Sequence, residues 1–582
     1  MVFLSTDRKG PAKARFVRPF VVANGADVIV LVLIGTLAVL VVHGVQQMDR
    51  PLAQLASHPV MLDLARLPGY ALLTTLRMFA AIFCSLIFTF VVGLLAAKSR
   101  KAALVVVPAL DILQSVPVLG FLTFTVAFFL NLFPGRELGA ECASIFAVFT
   151  AQAWNMAFSF YQSLRTLPGD LDQACRQFGL SPWRRFLRLE LPFAMPGLIW
   201  NTMMSMSGGW FFVVASEAIT VGNKTVTLPG IGSWLAVAID RRDFASVAWA
   251  VGAMAVVIGL YDQLLFRPIV AWADKFRFEQ TASEEKPRSW VYDLIRRARL
   301  MHRVLAPLGS VELAIAPIRL PRLNLRAPQL SERASRLLDG LWMATVVVVT
   351  LTVAAYAAVI LSRTLDLADA LKVVGLGAIT LVRVLVLIAI ATVIWVPIGV
   401  WVGLRPAWAE RVQPFAQFLA AFPANVLFPA AVVSIVALRL NPDIWLSPLM
   451  VLGTQWYILF NVIAGASALP TDLKEAGAIF GVRSWQWWRQ IGLPGIFPYY
   501  VTGAITASGG SWNASIVAES VSWGRTHLQA HGLGAFIAGA TAAGDLPRVA
   551  LGVAVMSLFV IALNRALWRP LYGLAERRLR LD

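Results

Sequence analysis

Charged residues and cysteines are both scarce in this chain of 582 residues. Only 14% of the residues are charged, whereas 58% are hydrophobic. A soluble protein of this length cannot hide so much apolar surface, so an ordinary soluble globular fold is excluded. The three cysteines, Cys84, Cys142 and Cys175, show no pairing pattern and no zinc spacing. They imply neither a disulfide framework nor a structural metal site.

Motifs for nucleotide and metal chemistry are missing as well. No Gly-x4-Gly-Lys-Ser/Thr phosphate loop occurs, and the stretch 222–225 lacks the glycine spacing of such a loop. His527 and His531 have the spacing of metal ligands on a helix, but no third ligand is evident. We therefore expect no catalytic residue, no metal and no bound cofactor in this chain. It is not expected to be an enzyme by itself.

The chain contains instead a series of long apolar runs. Runs such as 28–42, 341–361 and 551–563 have few or no charges, and a helix needs about 20 apolar residues to cross a membrane. We predict an all-α, polytopic membrane protein with about twelve spans. The predicted spans are 26–46, 70–97, 104–131, 142–164, 192–217 and 246–268, followed by 341–361, 373–403, 412–437, 447–468, 494–519 and 547–569.

The second half of the chain repeats the first. Residues 154–268 align with residues 456–570 at a constant offset of 302, and further upstream the offset is 306. The recurring residues include Pro168, Asp170, Ala174, Gly179, Pro192, Trp210, Glu217, Gly230, Gly232, Asp243 and Arg267, which return as Pro470, Asp472, Ala476, Gly481, Pro494, Trp512, Glu519, Gly532, Gly534, Asp545 and Arg569. The chain is therefore two copies of one module of about 270 residues, and any function must use both copies.

The positive charge of the chain is distributed between the apolar runs. The net charge of +18 could suggest nucleic acid, but basic residues beside spans are better explained as determinants of membrane topology. Basic clusters follow the second, fourth and sixth span of each half, which predicts that both termini are cytoplasmic. An even number of spans gives both halves the same orientation, so the repeat is parallel. We assign residues 1–268 and 341–582 to the two modules and 269–340 to a charged cytoplasmic linker.

A hydrophilic segment of the same design follows the fourth span of each half, at 167–192 and 469–494. Asp170 and Asp472 are expected to cap a short helix, with Gln173 and Glu475 reaching back to its start. Gly179 and Gly481 suit a left-handed residue that ends this helix. A second amphipathic piece, 183–188 or 485–489, then leads to a proline that begins the fifth span. Such a pair of short, rigid helices suits the transmission of force to a soluble partner.

This segment resembles the EAA loop of ABC-transporter permeases, whose pattern is Glu-Ala-Ala, three residues, Gly, nine residues, Ile-x-Leu-Pro. The second half matches through Glu475, Ala476, Gly481 and the sequence Ile-Gly-Leu-Pro at 491–494. The first half matches through Gln173, Ala174, Gly179 and Leu-Glu-Leu-Pro at 189–192. The differences, including Gln173 in place of Glu, suggest that the two docking sites are not equivalent.

More narrowly, the chain is similar to the nitrate/sulfonate/taurine-type permeases, with two permease modules fused into one chain. The similarity is carried by the Gly-Gly-Trp and Val-Ala-Ser-Glu stretch around Trp210 and Glu217, by its counterpart around Trp512 and Glu519, and by the Gly-x-Gly that follows each.

This resemblance implies a type I ABC importer permease fold, with the substrate pathway between the two halves. The ATPase-coupling residues would be Asp170, Gln173, Ala174, Gly179, Asp472, Glu475, Ala476 and Gly481. Two ATP-binding cassette subunits, which use ATP and Mg, would dock there, and a periplasmic binding protein would deliver the substrate. The lipid membrane is the remaining partner, and no nucleic acid is expected. The chain would lie in the bacterial inner membrane, and a small anion resembling nitrate, a sulfonate or taurine is the implied substrate.

Several polar residues within the spans are candidates for the substrate pathway. They are Arg77, Arg383, Glu217, Glu519, Gln114, Asn155, Ser207, Trp210, Ser508 and Trp512. Ionisable groups at membrane depth are functional candidates by default. However, Arg77 with Glu217 and Arg383 with Glu519 are better explained as structural ion pairs, because an unpaired charge in a low dielectric is costly. The small residues near Ser207 and Ser508 can line a pore or allow helices to pack closely.

Three other classes of membrane protein compete with this interpretation. The leading alternative is an ATP-independent secondary transporter with two parallel six-span halves, but it has no use for two EAA loops. An ABC exporter lacks this loop pattern. A membrane enzyme would need a repeated His, Cys or Ser constellation, which the sequence does not contain.

Overall fold

Two helical bundles form the protein in the computed structural model, which describes residues 25–48, 60–114, 116–221, 224–276, 289–298, parts of 340–359 and 365–578. The first half contains helices α1 Gly25–Met48, α2 Leu67–Phe88, α3 Leu94–Lys98, α4 Arg100–Leu113, α5 Val118–Leu132, α6 Leu138–Arg165, α7 Gly169–Gln177, α8 Pro182–Arg185, α9 Leu191–Glu217, α10 Ile231–Asp240, α11 Phe244–Tyr261 and α12 Arg267–Ala273. Helix α13, Trp290–Arg297, lies in the predicted linker. The basic N-terminus, most of the rest of the linker and part of the span at 341–361 lie outside the described residues.

The second half contains the corresponding helices. They are α14 Leu367–Gly403, α15 Pro406–Ala421, α16 Phe428–Ala437, α17 Pro442–Trp445, α18 Ser447–Leu452, α19 Gln455–Ser467, α20 Thr471–Ile479, α21 Ser484–Trp487, α22 Leu493–Ala518, α23 Leu533–Ala543, α24 Leu546–Leu563 and α25 Arg569–Arg578. The polytopic, all-α fold with an internal repeat is thereby confirmed.

Not every predicted span has the composition of a helix in contact with lipid. Among the described helices, five are long and apolar enough to cross a membrane, or seven if each of two bent helix pairs is one span. The predicted spans 142–164, 192–217 and 494–519 correspond to α6, α9 and α22, which are not among them. These three helices carry small and polar residues, and about half of the residues of each are buried inside the bundle.

Two predicted spans of the second half are bent rather than continuous. The span at 412–437 bends by 79° between Ala421 and Ala424, and the span at 447–468 bends by 43° near Gly453. Pro423 explains the first bend, because the residue before a proline avoids the helical conformation, and Phe422 is extended there. In the first half, the third span is interrupted between α4 and α5, next to Pro117.

Prolines at the start of α9, α12, α22 and α25 produce short π-helical turns. The turns are Phe186–Glu190, Asp262–Phe266, Trp488–Gly492 and Asn564–Trp568, and each runs directly into a helix with proline at its second position. Because proline has no N–H to donate to the carbonyl four residues earlier, the helix widens locally instead of breaking. The turns recur at the offset of 302 and are therefore part of the repeated design.

The recurring aspartates Asp243 and Asp545 begin the sixth span of each half. Asp243 Oδ1 accepts hydrogen bonds from the backbone N–H groups of Ala245 and Ser246, at 3.0 and 3.1 Å, and its Oδ2 accepts from Ser246 Oγ at 2.6 Å. The hydrogen bonds from Ser246 hold the pKa of Asp243 below its usual value. Asp545 accepts from the backbone of Arg548 at 3.1 Å. Both residues are N-caps of the kind that stabilises a helix start.

The third span of each half packs against the opposite half. Val118 at the start of α5 donates its N–H to Asn513 Oδ1 on α22 at 2.7 Å. Gly120 lies so close to Val553 on α24 that a Cβ atom there would be 2.6 Å from that side chain. In the second half, α15 packs against α9 in the same way. The two halves therefore interlock, and a cavity remains between their fifth spans.

Two short hairpins were not predicted from the sequence. Strands β1, Ala218–Val221, and β2, Lys224–Thr227, pair antiparallel after α9, and β3, Ser520–Trp523, pairs with β4, Thr526–Gln529, after α22. In the described part of the chain these are the only strands. They follow the ends of α9 and α22 that are remote from α7 and α20.

Candidate functional site

The short helices α7 and α20 end in glycines with the predicted left-handed conformation. Gly179 has a φ of 67° and Gly481 a φ of 65°. The next residue folds back in both cases, so that Leu180 N–H donates to Cys175 O at 3.1 Å and Val482 N–H to Gly477 O at 2.9 Å. This arrangement satisfies carbonyls at the end of the helix. The prediction for these two glycines is confirmed.

The predicted capping of these helices by Asp170 and Asp472 is wrong. The cap positions are occupied by Pro168 and Pro470, and no side chain makes a capping hydrogen bond. The helices begin at once after the proline, which places each aspartate inside the first turn. Its charge there interacts favourably with the positive end of the helix dipole.

Most of the predicted coupling side chains point to the surface. Asp170, Gln173, Asp472 and Glu475 are exposed, and Ala174 and Ala476 are half-buried. A phenylalanine precedes the terminal glycine in both copies, with Phe178 83% and Phe480 82% exposed. Large, fully exposed aromatic side chains at equivalent positions are typical of surfaces that contact another protein.

A network of charges links α7 to the rest of the first half. Asp172 pairs with Arg176 at 2.7 Å and with Arg185 at 3.1 Å. Arg185 also pairs with Glu190 at 3.1 Å, and Glu190 forms an ion pair with Lys98 at the end of α3. The network, which we call the charge brace, joins the short helix to the second span through the nearly buried carboxylate of Glu190.

The second half replaces the charge brace with aromatic packing. Lys474, Trp487, Gly492 and Leu404 stand at the positions of Asp172, Arg185, Glu190 and Lys98. The ring of Trp487 lies over Gly492, where a Cβ atom would be 2.5 Å from it. The two short helices therefore differ in the way each is held, as well as in sequence.

A cavity of about 620 Å³ lies between the two halves. Helices α6 and α9 line it from one side, and α19 and α22 from the other. Its lining residues on α6 lie between Thr150 and Gln162, in the half of that helix nearer to α7. On α24 and α25 the lining extends to the exposed Arg569 and Tyr572. The cavity thus occupies the part of the bundle on the side of the short helices.

The lining of this cavity is rich in aromatic and amide side chains. The amides are Gln114, Asn155, Gln162, Asn201, Asn461, Asn513 and Asn564, and the larger aromatics include Trp154, Trp200, Tyr457 and Trp568. Arg569 is the one charged side chain among the described lining residues. Such a surface supplies many neutral hydrogen-bonding groups and a positive charge, and it presents no carboxylate.

The candidate pathway residues fall into two groups. Gln114, Asn155, Ser207 and Ser508 line the cavity. Trp210 and Trp512 are buried outside the lining, and Gly209, between Ser207 and Trp210, packs tightly against Gln152. The small residues of the fifth span thus both line the cavity and allow close packing of helices.

Arg77 and Glu217 belong to a fully buried ion cluster outside the cavity lining. Arg77 makes two hydrogen bonds of 2.6 Å to Glu141 and one of 2.6 Å to Glu217. The other oxygen of Glu217 accepts from Gly232 N–H at 2.6 Å. Every member of this cluster is less than 2% exposed, so its charges stay compatible with burial only because they are paired and hydrogen-bonded.

The corresponding cluster of the second half is looser. Arg383 contacts Glu519 at 3.1 Å and Asp443 at 3.2 Å. Asp443 also contacts the exposed His531, with 3.0 Å between Oδ2 and Nδ1. The expected arginine–glutamate pairs are thus present in both halves, and in neither half do they line the cavity. His531 contacts a carboxylate, and the described residues contain no cluster that could hold a metal ion.

The third member of each cluster was missed by the sequence analysis. Glu141 and Asp443 are separated by 302 residues, the same offset that relates residues 154–268 to residues 456–570. An acidic residue conserved between the two copies at the start of a span is a signal that could have identified them. The two residues are not identical, since Glu141 is replaced by Asp443, so a search for identical residues in the two copies does not find this pair.

A comparison with protein-family models identifies the fold. The model of the binding-protein-dependent transport system inner membrane component matches residues 89–267 and again 395–580. The two matches cover more than half of the chain and coincide with its two halves. The chain belongs to this family. It is a membrane permease of the ABC type with an internal repeat.

Three curated relatives of the permease illustrate the range of the family. The permease is 29% identical over 142 residues to the bicarbonate transport system permease protein CmpB of Synechococcus elongatus. The aligned stretch covers 24% of this chain and 50% of that protein. It is 25% identical over 187 residues to the nitrate import permease protein NrtB of Leptolyngbya laminosa, 32% of this chain and 63% of that protein. It is 28% identical over 183 residues to the glycine betaine/proline betaine transport system permease protein ProW of Escherichia coli, 31% of this chain and 47% of that protein.

Each of these matches spans only about half to two thirds of the relative. No solved structure matches the chain.

Proposed function

We propose that the permease is the membrane subunit of an ATP-driven importer for a small anion. The two halves form the substrate pathway between them, and α7 and α20 couple it to separate ATP-binding subunits. The observation that carries this proposal is the pair of short, glycine-terminated helices at equivalent positions. Each projects exposed side chains from its own half, so the chain has two docking points for a partner.

The position of the cavity supports the coupling role. Helices α9 and α22 lead directly from the short helices to the cavity wall, and each is about 40 Å long by the rise of an α-helix. A displacement of α7 and α20 toward or away from each other therefore moves the walls of the cavity. Neither helix needs to touch the substrate for this to happen.

The proposal assigns the following partners and placement. Two ATP-binding cassette subunits, which use ATP and Mg, dock on the coupling residues, and a substrate-binding protein approaches the opposite end. The permease lies in the inner membrane with both termini in the cytoplasm, which agrees with its basic clusters. The anion class is supported by the relatives for bicarbonate and nitrate and by a cavity with one cation and no carboxylate in its described lining.

The decisive experiment is purification of the tagged chain from its native membrane in mild detergent. We expect a copurifying ATP-binding subunit at about two copies per chain. The variant Glu475→Arg should abolish this association, whereas Lys372→Glu, a charge reversal at the start of α14 and far from α20, should retain it. A chain that purifies without a partner protein and transports without ATP would contradict the proposal and establish the secondary-transporter alternative.

A further inference from the structure

Two equivalent boundaries between the halves run along the central cavity, and we call them seams. In one seam, α9 of the first half meets α19 of the second, and in the other, α22 of the second half faces α6 of the first. The internal repeat relates α9 to α22 and α6 to α19. Each position of one seam therefore has an equivalent position in the other, and the two seams can be compared residue by residue.

The seam between α9 and α19 is closed by aromatic side chains. The ring of Trp200 stacks on that of Phe460, with centroids 5.1 Å apart and planes inclined by 21°. Phe460 is only 2% exposed. Further along α9, a Cβ atom on Gly208 would be 3.2 Å from Tyr457 Oη, so the phenol of Tyr457 fills the space over this glycine. We call this boundary the aromatic seam.

The seam between α22 and α6 carries smaller, polar residues at the same positions. Thr502 replaces Trp200, Thr506 replaces Met204 and Asn155 replaces Tyr457. All three replacements are exposed, and all three line the cavity. The side chain of Asn155 makes no hydrogen bond with another described residue. We call this boundary the polar seam.

A phenylalanine common to both seams shows the effect of these replacements. Phe158 in the polar seam is equivalent to Phe460 in the aromatic seam. Phe158 lines the cavity, whereas Phe460 is buried against Trp200 and is absent from the described lining. Because Thr502 has no ring to cover Phe158, the same side chain is open to the cavity in one seam and closed in the other.

We propose that the substrate crosses the cavity along the polar seam, while the aromatic seam stays packed. Asn155, Thr502 and Thr506 are the residues past which the substrate moves, and the substrate is a small hydrophilic solute that exchanges hydrogen bonds with them. This inference rests on the proposed importer function and adds to it which of two equivalent routes is used.

The chemistry of the two seams accounts for the difference in their roles. Opening the aromatic seam would expose the rings of Phe460 and Tyr457 to water, which is unfavourable for apolar surface. The polar seam carries no such cost, because its side chains are already exposed. Thr502 and Thr506 donate to carbonyls of their own helix at 3.0 Å, which leaves their oxygens as acceptors, and the amide of Asn155 supplies donors.

The chain itself provides the variant that tests the route. Thr502→Trp installs the residue of the aromatic seam opposite Phe158, where a ring stack can then close the polar seam. Val393→Trp adds the same side chain on α14, at a position that is 74% exposed and outside the cavity lining, and is the control for an added tryptophan.

The measurement is ATP-dependent uptake by proteoliposomes that contain the transporter assembled with its native partners. Labelled nitrate, bicarbonate and glycine betaine are the probes. We expect Thr502→Trp to lower the initial rate of uptake about tenfold or more, which corresponds to a modest rise in the barrier to passage. Val393→Trp should leave the rate unchanged.

Thiol labelling tests the seams independently of the substrate. With the three native cysteines replaced by serine, Phe158→Cys and Phe460→Cys place one cysteine at equivalent positions of the polar and the aromatic seam. We expect a charged thiol reagent to modify Phe158→Cys about tenfold faster than Phe460→Cys, because a packed side chain reacts only when its surroundings open.

The outcomes separate this inference from the proposed function. Undiminished uptake by Thr502→Trp would overturn the route and leave the importer in place, and equal labelling of the two cysteines would overturn the packed seam. A wild-type transporter that takes up neither nitrate nor bicarbonate would contradict the proposed anion substrate, and the labelling would still decide between the seams. If Thr502→Trp lowers the unfolding temperature, Thr506→Met, which installs the less bulky residue of the aromatic seam, replaces it with the same expected loss of uptake.

Discussion

Single glycines show how tightly the buried ion clusters are enclosed. A Cβ atom on Gly230 would lie 2.3 Å from the carboxylate of Glu217, and one on Gly532 would lie 2.2 Å from that of Glu519. Both glycines have extended backbones, so the restriction is one of space and not of conformation. The recurring Gly-x-Gly of the sequence is thereby explained, because its first glycine makes room for a buried charge.

Alanine at these glycines should destabilise the permease. We expect Gly230→Ala and Gly532→Ala each to lower the free energy of unfolding by about 1–3 kcal/mol, since an extra methyl group must displace a packed carboxylate. Thermal unfolding of the purified protein in detergent measures the change. Gly252→Ala, in the middle of α11 with nothing within 4 Å of its added methyl group, is the control. It should be neutral or slightly stabilising, because alanine favours a helix over glycine. Equal effects at all three positions would contradict the steric explanation.

Neutralising Glu217 should reveal the structural role of the ion cluster. Glu217→Gln removes one of the two counter-ions of the fully buried Arg77, and we expect a loss of about 3 kcal/mol in unfolding free energy. Glu519→Gln should cost less, because Arg383 is 12% exposed and its contacts are longer. The unfolding temperatures of the two variants test this order. Normal stability of Glu217→Gln together with a changed substrate profile would instead place this residue in the pathway.

At the scale of elements, the charge brace and its aromatic counterpart are two solutions to one problem. In the proposed coupling role, each must hold a nine-residue helix firmly enough to transmit a displacement. The first half uses Asp172, Arg185, Glu190 and Lys98, whereas the second half packs Trp487 over Gly492. Partly buried ion pairs are sensitive to the loss of one partner, while aromatic packing is not affected by charge.

Removing a charge from the brace should uncouple the first half selectively. We expect Asp172→Asn to reduce the substrate transported per ATP hydrolysed about twofold to fivefold, because α7 loses its connection to Arg185 and through it to α3. Lys474→Asn changes the equivalent residue of α20, which makes no ion pair with any described residue, and should leave the ratio unchanged. Uptake and ATP hydrolysis are measured in the same proteoliposomes. A similar loss in both variants would indicate that these residues act by contacting the ATP-binding subunits directly.

The sequence predicted the elements better than it predicted their interruptions. The repeat, the apolar runs and the glycines at 179 and 481 specified the spans and the ends of the short helices, because each depends on local residue types. The bend near Gly453 could not be predicted, since its equivalent in the first half lies within the continuous α6. The hairpins were missed because their strands are only four residues long. The set of residues that lines the cavity depends on which span faces which space, and that is a property of the assembled halves.

At the scale of the whole molecule, the two halves meet at the end remote from the short helices. Gly524, in the turn between β3 and β4, donates its N–H to Ile239 O of the first half at 2.9 Å. Arg242 donates to Thr526 Oγ1 at 3.2 Å, and the rings of Phe244 and Trp523 are 4.3 Å apart. We call this contact the clasp. It closes one end of the molecule while the cavity occupies the part of the bundle near α7 and α20.

The clasp has features that indicate a specific contact. Arg242 has a φ of 55°, whereas its equivalent in the second half is a glycine, Gly544, with a φ of 70°. A non-glycine residue in this conformation is held at some energetic cost by its surroundings. Gly524 also has a positive φ, and a Cβ atom there would be 2.4 Å from Arg242 Nε. The contact therefore requires a side chain at 242 and none at 524.

If the permease alternates between two conformations, the clasp must open when the end near the short helices closes. Locking it should therefore stop transport. We expect a short bifunctional thiol reagent to block uptake by the variant Phe244→Cys/Trp523→Cys, with the three native cysteines replaced by serine, and a reductant to restore it. The variant Phe88→Cys/Phe149→Cys joins two helices of the first half whose rings are 5.6 Å apart, and its crosslink should leave uptake intact because both helices move together. Full uptake by the crosslinked clasp would show that the halves stay joined at this end throughout the cycle, and the substrate would then have to enter by another route.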